Sequence, residues 1–541
     1  MIDTRWLAPF RKRTSSSDCR LRATAGSRGR ARTAIVAAML LLSACKGANE
    51  EAAELAQRAN ALAEAGNLVA AREAITQAIA LREDNSAYYQ LLGAIELKSG
   101  NPVGAYRAFN RVLDFDPTSQ LALAYIANIG VQIGQIQPAD DAADQLLTLQ
   151  PNALPALQVK GMIALSRRKY DDAEGFADKI LSLKPTDEAG TIIKARALAK
   201  RGNAEEAVKL IDVALQVSPN SPSLLTNKLN LYRFLGQPEQ MAATFQTLGP
   251  LAAGVASMQL DQVNLLYRLG KKDEARRVGL ALLAGGSRDP NDYRVLQRLW
   301  WEYDDAPLPE GAARNARDWK DPLALVQTVR YLLARGDTAT ADALIQSAPA
   351  KAQPLLASLK ARLFAAAGRE SEARGQIDGL LAKDQHDVDA LLLRAYFAMK
   401  AGQLDAAVES AQLALNNDTL NPETYVLLAS IARAQGSDWR ARQVYEDGIR
   451  NLPQNFLIIE KYTQFLHESG DKRRAISATR AFARTLPSSV RAWSLFAGQC
   501  QLAADPTCMQ TALEGRTHAQ MAYLVDDPPG TPPNRGLFGR I

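Results

Sequence analysis

Residues 86–119 read SAYYQLLGAIELKSGNPVGAYRAFNRVLDFDPTS. Tyr89, Leu92, Gly93 and Ile95 fall at helical spacing and give a first helix with one apolar face. Gly100-Asn101-Pro102 ends it, because glycine enters the left-handed region at low cost and proline cannot continue the backbone ladder. Ala105, Phe109, Val112 and Leu113 form the buried stripe of a second helix. Ala105 has to be small where the two helices cross, and Phe109 is large enough to fill the space toward the next pair. Pro117 stops the second helix. One such pair cannot bury its own stripe, so stability has to come from neighbouring copies.

The copies are present. Gly66, Gly100, Gly134, Gly202, Gly236 and Gly270 keep a step of 34 with one slot skipped, held by Arg168, and Gly368, Gly402, Gly436 and Gly470 resume it. Pro117, Pro151, Pro185 and Pro219 repeat at the same step, as do Pro453 and Pro487. Alanine stands five residues after most of these glycines: Ala71, Ala105, Ala139, Ala207, Ala275, Ala373, Ala407, Ala441 and Ala475. A fixed period of this length with small residues in fixed slots predicts an all-α array of stacked helix–turn–helix units.

The pattern resembles the tetratricopeptide repeat family. Leu92-Gly93, Gly100, Ala105, Phe109 and Pro117 stand in that family's positions, and Ala195, Gly202-Asn203, Ala207, Ile211, Ala214 and Pro219 repeat them in 187–220. The resemblance runs from roughly Ala52 to Leu513, with seven regular units before Gly285, five from Gly336 onward and degenerate units near Asp304 and Ala504. The family's tryptophan near the start of the first helix is mostly Leu or Tyr here. Gly285 to Pro322 breaks the frame, since Gly270 and Gly336 are 66 residues apart. The resemblance implies a right-handed superhelical solenoid whose first helices line a concave, protein-binding groove.

A second signal lies near the start. The apolar run from Ala34 to Leu42 follows Arg28, Arg30 and Arg32 and leads into Leu42-Ser43-Ala44-Cys45. Basic flank, apolar core and small residues are the parts of a secretory signal, and the run is shorter than the roughly 20 residues that span a bilayer. Leu-Ser-Ala-Cys resembles the lipobox of bacterial lipoproteins. That resemblance implies a diacylglycerol on Cys45, cleavage before it and acylation of the new amino end; Lys46 in place of Asp then favours the outer membrane. The plain alternative is a signal peptide with an incidental cysteine. At about 0.8 kcal/mol per buried CH₂, three acyl chains would anchor the protein for good. Met1–Thr33 is long for a basic flank and has no expected structure. The expected organisation is a signal peptide at 1–44, a lipidated linker at 45–51, a regular array at 52–285, an irregular aromatic-containing repeat or joint at 286–322, a second array with its cap at 323–515, and a proline-rich tail at 516–541.

The leader also explains the charge. The chain carries 64 Lys and Arg against 58 Asp and Glu. Residues 1–44 hold nine of the former and two of the latter, so the rest is 55 basic against 56 acidic. Net charge therefore gives no argument for a nucleic-acid partner. Beyond Cys19 in the leader and Cys45, only Cys500 and Cys508 remain, flanking Ala503-Ala504-Asp505-Pro506. Seven intervening residues allow a disulfide stapling the last helical pair in an oxidising compartment; two independent buried thiols are the alternative. His386, His467 and His518 are far apart, so no metal or cofactor site is expected. His467 reads as a helix C-terminal cation. Asp140-Asp141 and Asp171-Asp172 read as charges at the starts of second helices rather than acid–base pairs. Gly285-Gly286 lacks the Lys-Ser/Thr of a phosphate loop and follows no strand. The reading is non-enzymatic, with no small-molecule substrate.

What remains is recognition. By analogy with the family, Asn128, Gln132, Gln158, Arg196, Asn230, Arg233, Asn264, Tyr267 and Arg268 face the groove. Asn230 and Asn264 share a slot in adjacent units, with Arg233 and Arg268 nearby, a set that suits a peptide backbone or carboxylate; an ordinary solvated polar face is the alternative. Trp300-Trp301 with Tyr293 and Tyr303 falls where the frame breaks and reads either as core packing or as a partner-docking knob. Asp526–Asn534, with four prolines, cannot be helical, and Gly536–Ile541 ends as an inert tail or a small anchor. The function expected is a lipid-anchored scaffold that binds protein partners in assembling a cell-envelope machine of the exopolysaccharide-export or pilus and secretion kind. The alternative is an accessory that binds an envelope polymer or positions a polymer-modifying enzyme. Aromatics are 6% of the chain and many fill core slots, which ranks protein binding first.

Overall fold

A computed structural model describes residues 31–309, 311–523 and 525–526, with side chains described from Gly47 on except at 314 and 315. The leader up to Arg30, the side chain of Cys45 and the proline-rich stretch from Asp527 lie outside the described residues. Among those described there are 27 α-helices, one 3-10 helix and no strand. The chain is a helical-repeat solenoid. Its described residues form two compact units, one ending at Pro151 and the other beginning at Asn152.

Seven helix pairs run from the Ala31–Glu64 helix to the Lys272–Gly285 helix. Asn291–Tyr303 follows without a second α-helix of its own and packs on Ala256–Arg268 and Pro322–Arg335; the 3-10 helix Ala312–Asp318 comes next, and six more pairs run from Pro322 to Met521. The Ala31–Glu64 helix is continuous across the expected linker at 45–51. No helix among the described residues is long and apolar enough to cross a membrane.

The 86–119 unit shows why each slot is fixed. Helices Ser86–Lys98 and Pro102–Phe115 are separated by Gly100 at φ +72°. Asn101 caps the second helix, its Oδ1 accepting from the Gly104 N–H at 3.0 Å, with Pro102 in the first turn. Ala105 is wholly buried. A Cβ on Gly93 would stand 2.7 Å from the Phe109 ring, so the glycine admits the aromatic. Phe109 then stacks on Tyr125 of the next first helix at 4.4 Å between ring centroids. The alanines five residues past the turns, from Ala71 to Ala475, are all at 0% exposure.

The stretch read as an irregular repeat or joint contributes to packed core. Tyr293, Leu296, Leu299 and Trp300 join Ala316 and Trp319 in one apolar cluster that reaches from Leu260 to Leu363. Trp319, at the end of the 3-10 helix, is buried in this cluster. At the other end, Cys500 and Cys508 are bonded and buried, their Cα atoms 5.4 Å apart, tying Val490–Leu502 to Pro506–Met521. That last helix extends past residue 515 to Met521, so the tail begins later than expected.

Two consequences can be measured. Ala207 is wholly buried among Ala195, Ile211 and Leu224. Ala207→Leu should overpack this crossing and cost roughly 1–3 kcal/mol in chemical denaturation. Arg168, in the skipped glycine slot, is exposed and held at φ +59°. Arg168→Gly removes a left-handed penalty of about 1–2 kcal/mol against glycine's greater unfolded-state entropy. A net gain of about 0.5–1 kcal/mol should appear as a raised Tm.

Candidate functional site

Three successive first helices, Pro222–Phe234, Ala256–Arg268 and Asn291–Tyr303, each present an arginine to one segment of the same chain. Arg233 Nε donates to the Tyr523 carbonyl at 3.0 Å, and Arg268 donates to that of Ala519 at 2.7 Å. Arg298 donates to the Asp526 carbonyl at 3.0 Å. Arg268 also reaches the Ser488 carbonyl and lies 5.9 Å from the Tyr523 ring centroid. Charged donors on neutral carbonyls make strong hydrogen bonds when partly shielded from water.

The guanidiniums are aimed by their own helices. Asn230 Oδ1 accepts from Arg233 at 2.7 Å and Asp261 pairs with it at 3.3 Å. Asn264, 3% exposed, accepts from Arg268 Nε at 3.2 Å. Asn230, Arg233, Asn264 and Arg268 are thus brought together, with the asparagines orienting the cations.

The other groove candidates make local contacts. Gln132 bonds Asn128 at 2.8 Å, Gln158 bonds Asp187 at 3.0 Å, and buried Arg196 bonds Asn227 at 2.9 Å. Burial lowers the Arg196 pKa to about 10. Tyr267 is buried and donates to Asp304, which also receives a forked pair of bonds from Arg276 at 2.8 Å. Trp300 lies in the core at 1% exposure. Trp301 is half-buried: its Nε1 faces Glu460 at 3.2 Å, Arg335 covers its ring, and its carbonyl accepts from Arg491. Both tryptophans are therefore engaged within the chain.

His467 bonds Gln499 at 2.7 Å, linking two first helices, while His386 and His518 are exposed. Asp171 and Asp172 lie in a first helical turn. Asp140 and Asp141 do not, since their helix starts at Ile136. Among the described residues no group of three or more His, Cys, Asp or Glu side chains is placed to hold a metal. A cavity of about 270 Å³ beside Arg294, Arg330 and Asn421 lies in the second unit.

Arg298, Tyr523, Val525 and Asp526 were not among the sequence candidates. Arg298 sits in the unit whose frame is broken, so no slot alignment reaches it. The Tyr523-x-Val525 alternation was the available signal, masked by the prolines that follow.

Two stretches, 56–119 and 358–423, match the tetratricopeptide repeat family. The likeness to that family's model is confined to these two stretches. No curated protein matches it. Among solved structures it is similar to a tetratricopeptide repeat protein from Parabacteroides merdae, at 20% identity over 46% of this chain and 98% of that one, with a TM-score of 0.39. It is also similar to PilF of Pseudomonas aeruginosa, at 17% identity over 38% and 95%, TM-score 0.32. YrrB, described as having an unusual peptide-binding site, is 19% identical over 35% and 96%, TM-score 0.30.

The strongest internal electrostatic element lies apart from the arginine row. Asp389, 3% exposed, is held by Arg330 at 2.7 Å and Arg362 at 2.5 Å, and Arg362 reaches Glu423 at 2.6 Å. Burial opposes ionisation of Asp389, but the two guanidiniums overcome it and hold its pKa below the ordinary value. Its stabilisation is therefore present above the unfolded pKa of about 3.9 and lost as pH falls through the lower folded value. Asp389→Ala leaves Arg362 with Glu423 alone and Arg330 with Asp418 at 3.5 Å, and should cost about 1.5–3 kcal/mol at neutral pH. Urea unfolding at pH 7 and pH 3 should show the gap between variant and wild type narrowing at the lower pH.

Proposed function

We propose that this chain is a non-enzymatic scaffold for protein partners, held by an acylated Cys45 on the periplasmic face of a bacterial outer membrane. There it would assemble an envelope machine of the exopolysaccharide-export or pilus and secretion kind. Tetratricopeptide repeats are protein-interaction modules, and this fold is ordinarily non-catalytic. The observation that carries the reading is the row Arg233, Arg268 and Arg298, each taking a main-chain carbonyl. Guanidiniums spaced over successive repeats suit a peptide, whose carbonyls recur along its length; a polysaccharide offers chiefly hydroxyls. The basic flank, apolar run and Leu42-Ser43-Ala44-Cys45 in front of the array support the anchor.

Cys45→Ser should abolish incorporation of labelled fatty acid and leave an unprocessed precursor. Cleavage and membrane fractionation as in wild type would refute the anchor. Cross-linking the wild-type chain in cells should give adducts of discrete mass that protease removes and glycosidases leave intact. Adducts sensitive only to glycosidases would replace the protein scaffold by the polymer-binding accessory.

A further inference from the structure

Tyr523, Val525 and Asp526 follow the end of the last helix at Met521, and the described residues among 522–526 have no helical or strand assignment. This stretch is held by two kinds of contact. Its main chain is read by Arg233 at Tyr523 and Arg298 at Asp526, bonds that are indifferent to side chains, while Arg268 lies over the Tyr523 ring. Its side chains are read separately. The Tyr523 ring packs on the cluster containing Leu225, Leu229, Phe245 and Leu265. Val525, 8% exposed, enters the large cluster built around Leu296 and Trp300. The Asp526 carboxylate accepts from the Ser488 N–H at 2.9 Å.

These contacts define a pattern: an aromatic, an aliphatic two residues on, then an acid. None of them depends on the segment being joined to the last repeat. We propose that the face formed by helices Pro222–Phe234, Ala256–Arg268 and Asn291–Tyr303 is a docking site for a partner segment of this pattern, and that Tyr523–Asp526 is an internal ligand which such a partner displaces. The proposal rests on the protein-scaffold reading and gives the partner's recognised segment its chemistry.

The competition has a predictable size. A tethered segment acts at an effective concentration in the millimolar range. It weakens an external peptide by about the ratio of that concentration to the peptide's own Kd, at least about tenfold for any peptide whose Kd is below about 100 μM. The probe is a fluorescein-labelled peptide of the sequence 521–526, Met-Ala-Tyr-Leu-Val-Asp. The host is the full chain carrying Tyr523→Ala, Val525→Ala and Asp526→Ala. Fluorescence anisotropy should show the peptide binding this variant at least tenfold more tightly than wild type. Adding Arg233→Ala and Arg268→Ala should remove at least tenfold again.

Equal binding to wild type and triple variant would overturn the proposal, as would no binding to a triple variant of native helicity, or binding indifferent to the arginines. Hydrogen exchange on wild type gives a measurement free of any folding defect. Excess unlabelled peptide should accelerate exchange of the amides in 522–526, and unchanged exchange at saturating peptide would overturn the internal-ligand role. Failure here with protein cross-links still formed in cells would leave the scaffold reading standing and place its partners on another face. Loss of the protein cross-links would sink that reading independently.

Discussion

Everything in this molecule depends on how closely two helices can approach at one position per repeat. The residue five places past the turn is an alanine with no exposed surface in nearly every unit. In the unit turning at Gly236 the slot holds Met241, also wholly buried, so the slot takes what fits beneath the facing helix, most often alanine. The turn glycine sets the angle at which the second helix returns, and the alanine sets the distance. Where the glycine slot holds Arg168 or Ala504, the backbone still takes the left-handed conformation. The geometry is therefore imposed by stacking of neighbours and only eased by the glycine, as expected when stability is shared between adjacent repeats.

The frame and its small residues were legible because they obey local rules. Period, turn chemistry and helical stripes all lie within 34 residues, and the glycine slots they mark are left-handed turns between helices. The aromatics of 286–322, open at first between core packing and a docking knob, are in large part core, with Tyr293, Trp300 and Trp319 buried in one cluster. Asp140-Asp141 was misplaced because its turn is followed by Ile136-Gln137-Pro138, which starts the helix earlier than the acids.

The candidate site was legible only in part, for a physical reason. Asn230, Arg233, Asn264 and Arg268 share repeat slots, so the repeat itself pointed to them. What they touch cannot be read from any local pattern, since Arg233 and Tyr523 are 290 residues apart and Arg268 and Ala519 are 251 apart. Arg298 was hidden by the broken frame, and the carbonyls it and its neighbours bind carry no sequence signature.

These long-range contacts change what kind of object the second unit is. A simple repeat array touches only its neighbours and can open at any junction. Here Arg298 reaches Gln454 and Asp526, Trp301 reaches Glu460, and Arg491 reaches back to the Trp301 carbonyl. All of them meet on the helix Asn291–Tyr303, the one first helix without a regular second helix beside it. The gap in the repeat pattern and the contact with the last repeats therefore belong to one arrangement. A regular unit would present a solvated polar face at this point. The aromatic-rich one gives the C-terminal repeats an apolar and hydrogen-bonding surface to close on. Junctions between the middle and the end of the second unit are thereby coupled, so opening one requires breaking contacts made by several others. That coupling lets a single short segment, Tyr523–Asp526, be held by three repeats at once.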